Sequence, residues 1–127
     1  MCHQSVTLVA RHLEENGIAT VVLGCARDVM EHAGVPRAVF SDFPLGNSAG
    51  KPNDQGSQRD TLAMALGLLE SAEKAGTIVQ NPQLWSSDPS WKLDYSNVAT
   101  RSQEEMNQHR AKAHADREIA RQVRTVT

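Results

Sequence analysis

Apolar residues in the first 80 positions recur in two alternating patterns. Over residues 4–16 the apolar positions have helical spacing: Val6, Val9, Ala10 and Leu13. Gly17 follows at once and is a typical helix stop, so the segment is predicted to be a helix. Residues 18–23 are instead a continuous run of mainly β-branched and apolar residues. Such a run is typical of a strand that is buried on both faces of a parallel sheet.

The same alternation continues along the chain. It predicts, in order, a short helix at 26–33, a strand at 37–41, a loop at 42–57, a helix at 58–75 and a short strand at 77–79. Strand–helix–strand order predicts parallel strands joined by right-handed crossovers. We therefore expect an α/β fold, an incomplete Rossmann-like or flavodoxin-like parallel sheet. Two or three strands are few for a sheet that is apolar on both faces.

The chain changes character after Gln80. Residues 81–98 contain two prolines, both tryptophans and the single tyrosine, without a period. Residues 101–124 are charged and helix-prone, with few apolar positions: Met106, Ala113, Ile119, Ala120 and Val123. We predict an α/β module at 1–80 and an extended and helical tail at 81–127. Aromatic residues in an irregular segment favour an interface, so the tail is predicted to lie across another subunit; a solvated tail is the alternative.

Composition narrows the possible partners. The net charge is −2, and no strongly basic region favours nucleic acid. No apolar run approaches the roughly 20 residues that span a bilayer, and no signal-peptide pattern is present. A cytoplasmic protein without a membrane partner is expected. The first predicted helix begins at residue 3 or 4, and no strand precedes it, so we expect an obligate oligomer in which another subunit supplies the missing strand.

Candidate site residues occur in three segments predicted to meet at one edge of the sheet. The carboxyl ends of parallel strands form this edge, where ligands of α/β folds bind. Its candidates for catalysis are Cys2 and His3. Its candidates for binding a small-molecule substrate are Ser5, Cys25, Asp42, Pro44, Gly46 and Asn47.

Cys2 is the main candidate for chemistry. A thiol at a helix N-terminus has its reactive thiolate form favoured by the helix dipole, and His3 beside it offers positive charge. The alternative is an exposed terminal cysteine without function. For Cys25, the competing interpretation is a small buried apolar residue. Cys2, His3, Cys25 and Asp42 are the residues of an alternative soft-metal site, but no pair of His or Cys residues has a spacing typical of metal ligands. No metal site is predicted, and the cofactor is left unknown.

The order of three segments resembles a known family. These are residues 2–6 (Cys-His-Gln-Ser-Val), residues 15–21 (Glu-Asn-Gly-Ile-Ala-Thr-Val) and residues 43–54, which contain Phe-Pro-Leu-Gly-Asn. Together they resemble the selenoprotein B family of glycine, sarcosine, betaine and proline reductases over residues 2–80. The resemblance implies reductive cleavage of C–N bonds in amino-acid-like substrates. It also implies that Cys2 lies in the redox-motif region and that Pro44, Gly46 and Asn47 lie in a facing loop.

The sequence contains neither selenocysteine nor a Cys-x-x-Cys pair. We therefore predict a truncated, non-selenium relative: one subunit of a thiol-dependent reductase that acts on an amino-acid-like or C–N/C–S bond-containing substrate. Cys2 is expected at an active site shared with a partner subunit. The alternatives are a noncatalytic assembly subunit and a small-molecule binding module of flavodoxin-like shape.

Overall fold

A computed structural model describes residues 2–94 and, further along, residues 102, 104, 107, 108, 110–112, 114 and 115. The chain divides into two compact units, residues 1–88 and residues 89–127.

The first unit is a small α/β structure. Its elements in chain order are α1 (Cys2–Glu15), β1 (Val22–Gly24), α2 (Arg27–His32), β2 (Arg37–Phe40), α3 (Gln55–Ser71) and β3 (Thr77–Gln80). The strands form one parallel sheet in the order β1-β2-β3. This open sheet with covering helices confirms the predicted incomplete α/β fold.

The element boundaries differ from those predicted by one or two residues in most cases, and by more in two of them. Only the end of the apolar run at 18–23 pairs as a strand, because β1 contacts β2 through Val22, Leu23 and Gly24 alone. Helix α3 begins three residues earlier than predicted. The side chain of Asp54 accepts a hydrogen bond from the Ser57 N–H at 2.9 Å and caps the first turn of the helix.

Apolar side chains pack on both faces of the sheet. On one face Val22 and Ala38 contact Ala10 of α1 and Met30 of α2. On the other face Val39 packs against Ala65 and Leu68 of α3. Register explains this division, since Val22 pairs with Ala38 and neighbouring strand residues point to opposite faces. The continuous apolar run in the sequence reflects burial from both sides.

The two crossover connections have opposite hands. The chain crosses the sheet in one direction, from β1 to β2 to β3, while α2 and α3 lie on opposite faces. Two connections that step in the same direction along opposite faces cannot both be right-handed. The prediction of right-handed crossovers is therefore wrong for one of the two, which is the rare left-handed form.

The segment after β3 stays on the first unit. Asn81 is only 1% exposed, and its N–H donates to the carbonyl of Phe40 at 2.7 Å. The Trp85 ring packs against the Phe43 ring, with centroids 5.5 Å apart. Asn81 and Trp85 therefore contact residues of the first unit. The division into domains at 80/81 and the intersubunit role of the tail stay predictions.

The second unit is described only in part. It contains α4 (Trp91–Asp94), and the described positions between 104 and 115 have helical backbone. Of the tail residues predicted to form an interface, Trp85 and Trp91 are described. The others lie outside the described residues: Tyr95, Met106, Ala113, Ile119, Ala120 and Val123. In the described portion of the chain, no helix has both the length and the apolar content required to cross a membrane.

Candidate active site at the carboxyl edge of the sheet

The three segments predicted to converge do meet. The Cys25 N–H, just after β1, donates to Nε2 of His3 in α1 at 2.9 Å. The Ser41 N–H, just after β2, donates to the Gly24 carbonyl at 2.9 Å. The Cys25 thiol lies within reach of the backbone N–H groups of Phe43 and Asn47. Residues at the start of α1 and after both strands therefore share one edge.

Cys2 is the first residue of α1 and is exposed. Its Sγ lies 3.9 Å from Nδ1 of His3, a long contact for a hydrogen bond to sulfur. The predicted position at a helix N-terminus is thus present in the structure. The free backbone N–H groups of the first turn and the helix dipole both favour a negative charge at this position.

The tautomer of His3 follows from its hydrogen bonds. Because Nε2 accepts the Cys25 N–H, this nitrogen carries no proton, and in a neutral ring the proton lies on Nδ1. Nδ1 is the atom that faces Cys2 Sγ. With Nε2 bonded to the Cys25 N–H, Nδ1 is the ring nitrogen of His3 that is left to contact Cys2.

Cys25 has a different environment from Cys2. It is partly buried, and burial raises the pKa of its thiol. Hydrogen bonds from the Phe43 and Asn47 N–H groups act in the opposite direction, and the nearby Asp42 carboxylate raises the pKa further. Neutral Cys25 is therefore favoured, in line with its alternative interpretation as a small packing residue.

Gly24 makes the approach of α1 to the sheet possible. A Cβ at this position would collide with Met30 and would lie 3.1 Å from Cδ2 of His3. Met30 is fully buried and His3 is held by Cys25, so neither side chain has free space to move into. A glycine at the end of β1 is thus required for His3 to reach the edge.

The predicted loop residues form a tight turn beside Cys25. The Pro44 carbonyl accepts two hydrogen bonds from Asn47, from its backbone N–H and from its Nδ2, both at 3.1 Å. Gly46 has φ +98°, a conformation that glycine adopts most readily. Asp42 and Asn47 are partly buried and Gly46 is exposed. Ser5 is also exposed, but it lies on a different face of α1 from His3.

A buried polar network lies behind this turn, and the sequence did not reveal it. Nδ2 of Asn81 donates to the Ser41 hydroxyl at 3.1 Å and to the Thr61 hydroxyl at 3.0 Å. Gln83 donates to the Ser57 carbonyl at 3.2 Å and accepts from the Ser57 hydroxyl. Ser41 and Asn81 follow β2 and β3 directly. Polar residues immediately after apolar strands were the one available signal for this network.

The soft-metal arrangement of Cys2, His3, Cys25 and Asp42 is not formed. Across the residues that the structure describes, no three His, Cys, Asp or Glu side chains are grouped so that they could hold a metal ion.

A separate cleft of about 480 Å³ lies at the opposite, amino-terminal edge of the sheet. Glu14 lies there and accepts hydrogen bonds from Thr20 and Arg37. The hydrogen bond from the Thr20 backbone N–H is the main cause that lowers the pKa of this carboxyl group. Because ligands of parallel α/β sheets bind at the carboxyl ends of the strands, we place the candidate site at the other edge.

The two thiols are expected to react at different rates. Iodoacetamide reacts with thiolate, so at neutral pH Cys2 should be alkylated faster than Cys25, whose raised pKa keeps it protonated. The difference should narrow as the pH rises through the pKa of Cys25. Mass spectrometry of the folded protein across pH measures both rates, and unfolding in urea, which should equalise them, is the control. Faster labelling of Cys25 at neutral pH would contradict the assignment.

The amino-acid sequence is similar to that of one curated reductase subunit. It is 37% identical over 81 residues to D-proline reductase subunit gamma from Acetoanaerobium sticklandii. The match covers 64% of this chain and 34% of that subunit, so the chain spans about a third of the length of this relative. No family model and no solved structure matches the chain. This similarity supports the predicted resemblance to a reductase subunit. The similar protein is a proline reductase subunit, so the similarity does not point specifically to the selenoprotein B family.

Proposed function

We propose that this chain is a subunit of a thiol-dependent reductase and that it contributes Cys2 to an active site shared with another polypeptide chain. The similarity to D-proline reductase subunit gamma carries this proposal. The substrate is a small amino-acid-like molecule, with a C–N or C–S bond as the bond to be cleaved. D-proline is the first compound to test.

Three features at the carboxyl edge support the proposed role of Cys2 as a nucleophile. It is exposed, it lies at the start of a 14-residue helix, and Nδ1 of His3 faces its sulfur. The start of a helix is a position at which reactive cysteines occur. In this proposal the Cys2 sulfur attacks the carbon of the C–N bond, and the amine leaves with a proton. A second thiol then attacks the Cys2 sulfur, so that the carbon leaves with a proton as the reduced product and a disulfide remains. His3 positions the Cys2 sulfur.

The turn at residues 42–47 provides the substrate-binding side of the proposed site. Asn47 and Asp42 offer an amide and a carboxylate to a zwitterionic substrate, and Pro44 and Gly46 fix the shape of the turn. Cys25 and Ser5 are the remaining two residues that we propose to bind the substrate. Cys25 also holds His3 through its backbone N–H, so it contributes to the position of His3 whatever its thiol does.

A reduction by thiols consumes two of them, since two electrons leave as a disulfide forms. Cys2 is one of them. Cys25 is partly buried and its raised pKa disfavours thiolate, which makes it a poor second thiol. We therefore assign the second thiol to the partner chain or to an external dithiol reductant.

A noncatalytic assembly subunit is the second candidate. Large apolar side chains remain exposed on both α1 and α3, which suits a protein that assembles with others. In that case the edge of the sheet holds the turn in place but performs no chemistry.

Replacement of Cys2 decides between the two candidates. The chain is co-expressed with the proteins encoded beside it, and consumption of D-proline by the complex is followed with dithiothreitol as the reductant. Cys2→Ser should abolish consumption while the complex still forms, and Cys25→Ser, the matched control, should retain most of it. Full activity of Cys2→Ser would contradict a catalytic role and favour the assembly subunit.

A further inference from the structure

The segment that leads from the turn of the candidate site into α3 is held by its own hydrogen bonds. The Gly50 N–H donates to the Asn47 carbonyl at 3.4 Å, so a second turn follows the first directly. At the next residue, the Lys51 N–H donates to the Ser57 hydroxyl at 2.9 Å. The Lys51 carbonyl accepts from Nε2 of Gln58, also at 2.9 Å. The backbone of Lys51 is therefore fixed between Asn47 and the first turn of α3.

The Lys51 side chain carries a charge without a counter-charge. Lys51 is partly buried, and no described residue forms a hydrogen bond or an ion pair with its ammonium. The nearest carboxylate along the chain is that of Asp54, which caps α3 by accepting from the Ser57 N–H at 2.9 Å. A charge that is partly removed from water is stabilised by a partner of opposite sign. The Lys51 ammonium is thus suited to a bound anion.

Two arginines near the same edge of the sheet differ from Lys51 in this respect. Arg27, the first residue of α2, lies 2.7 Å from a carboxylate oxygen of Glu31. Arg59 of α3 lies 3.6 Å from a carboxylate oxygen of Asp60. Each arginine therefore has a carboxylate neighbour, whereas Lys51 has none in the part of the chain that the structure describes.

The substrate-binding residues proposed above leave one group of an amino acid without a counter-charge. An amino acid carries an ammonium and a carboxylate. The Asp42 carboxylate suits the ammonium, and the Asn47 amide is neutral. None of the other proposed binding residues is positively charged. Because proteins bind carboxylates most strongly through charged donors, a cation close to Asn47 is the group that the proposed site lacks.

We propose that Lys51 binds the carboxylate of an amino-acid substrate at the candidate site. The Lys51 ammonium and the Asn47 amide hold the carboxylate, while Asp42 holds the substrate amine. This inference rests on the proposed function and narrows its substrate class to molecules that carry a free carboxylate beside the amine. Lys51 binds the substrate and takes no part in breaking the C–N bond.

The surroundings of Lys51 favour such a role. Gly50 packs so closely on α3 that a Cβ there would lie 2.7 Å from Cα of Gln58. Pro52 follows Lys51 and restricts its backbone as well. A lysine on a fixed and partly buried backbone loses less conformational entropy on binding than one on a mobile loop. The loop therefore presents the charge in a restricted region beside Asn47.

The test measures binding separately from catalysis. The chain is co-expressed with the proteins encoded beside it and carries Cys2→Ser, so that substrate is not consumed during the measurement. Titration calorimetry with D-proline should give a Kd that Lys51→Gln raises by about tenfold or more, because a charge-assisted hydrogen bond is lost. Lys51→Arg keeps the charge and should bind D-proline more tightly than Lys51→Gln.

Lys74→Gln is the matched control. Lys74 is exposed and lines the cleft at the opposite edge of the sheet, so its replacement removes the same charge from the chain without touching the site. The Kd for D-proline should stay at the value of the Cys2→Ser parent. Both hydrogen bonds that fix Lys51 to α3 use its backbone groups, so Lys51→Gln removes neither of them. Circular dichroism checks that the helices are kept.

D-prolinamide, in which a neutral amide replaces the carboxylate, tests the group that Lys51 recognises. Its affinity for the Cys2→Ser complex should be weaker than that of D-proline and should be the same with and without Lys51→Gln. An equal loss of affinity for both compounds would mean that Lys51 supports the loop and does not bind the carboxylate. An unchanged Kd for D-proline in Lys51→Gln, equal binding by Lys51→Gln and Lys51→Arg, or no binding of D-proline to the parent complex would each overturn the proposal.

Failure of this inference is distinguishable from failure of the proposed function. If Lys51→Gln leaves D-proline binding unchanged while Cys2→Ser abolishes D-proline consumption, the assignment of Lys51 is wrong and the reductase proposal stands. If Lys51→Gln weakens binding while Cys2→Ser still consumes D-proline, the carboxylate site stands and the catalytic role of Cys2 is wrong.

Discussion

Gly50→Ala should destabilise the first unit by about 3 kcal/mol, because two unfavourable effects coincide at this position. Gly50 has φ +112°, a conformation that costs any residue with a Cβ. The added Cβ would also lie 2.7 Å from Cα and 2.8 Å from N of Gln58. These are backbone atoms in the first turns of α3, so they cannot rotate away. The loop and the helix must separate to make room.

Substitutions at two other glycines separate the cost of a positive φ from the cost of the collision with α3. Gly46 also has a positive φ, +98°, but a Cβ there would meet nothing within 4 Å, so Gly46→Ala should cost only about 1 kcal/mol. Gly67 lies inside α3 with equally open surroundings, and Gly67→Ala should stabilise by up to about 1 kcal/mol, since alanine is the better helix former. Urea unfolding of the three variants gives the comparison. Equal losses at Gly46 and Gly50 would mean that contact with α3 is unimportant.

Asn81→Leu should also cost about 3 kcal/mol, although leucine has the same branched arrangement of side-chain heavy atoms as asparagine. The substitution removes both donors that reach Ser41 and Thr61, and it removes the acceptor for the Gln83 N–H, which lies 3.1 Å from Oδ1. Each polar group left buried without a partner costs about 1–3 kcal/mol. The Thr61 hydroxyl keeps its bond to the Ser57 carbonyl, so the loss is below the sum for three groups.

Gln80→Leu is the control for this substitution. Gln80 is the neighbouring residue and is exposed, so an apolar side chain there should change stability little. The fluorescence of Trp85, read in a Trp91→Phe background, reports the local effect. We expect Asn81→Leu to shift the emission toward that of solvated tryptophan, because Asn81 anchors the segment that holds Trp85 on Phe43. Unchanged stability and emission would show that the network does not hold the segment.

Both substitutions affect how the candidate site is supported. The turn at 42–47 lies between β2 and the start of α3, and its shape depends on the packing of the loop at Gly50 and of the segment at 81–85. We therefore expect either variant to change the environment of Cys25, whose thiol faces the Phe43 and Asn47 N–H groups. Catalytic loops depend on such a supporting layer for their geometry.

Local sequence patterns were sufficient for the main elements of the fold. The continuous run at 18–23 indicated a strand buried on both faces, and the structure has apolar contacts on both sides of β1. Helical spacing indicated α1 and α3, and glycines indicated where α1 and α2 end. Because strand, helix and turn propensities act over a few residues, these features can be inferred without knowledge of the rest of the chain.

Convergence of the site segments could also be predicted, since parallel strands place their carboxyl ends at one edge. The roles of the individual residues could not. The sequence placed His3 beside Cys2, but it did not indicate that Nε2 of His3 accepts the Cys25 N–H and that Nδ1 faces Cys2. That hydrogen bond joins residues 22 positions apart, and nothing near either residue in the sequence indicates it.

The sequence by itself determined the α/β class, the parallel strands and the edge at which Cys2, Cys25 and the turn at 42–47 meet, because these depend on local periodicity and on strand direction. Only the tertiary structure decided which side chains are partners across the chain. It placed Asn81 in a buried network, gave the two crossovers opposite hands, and left Val6 and Val9 of α1 exposed. These features depend on packing between distant segments, for which a single sequence contains no local signal.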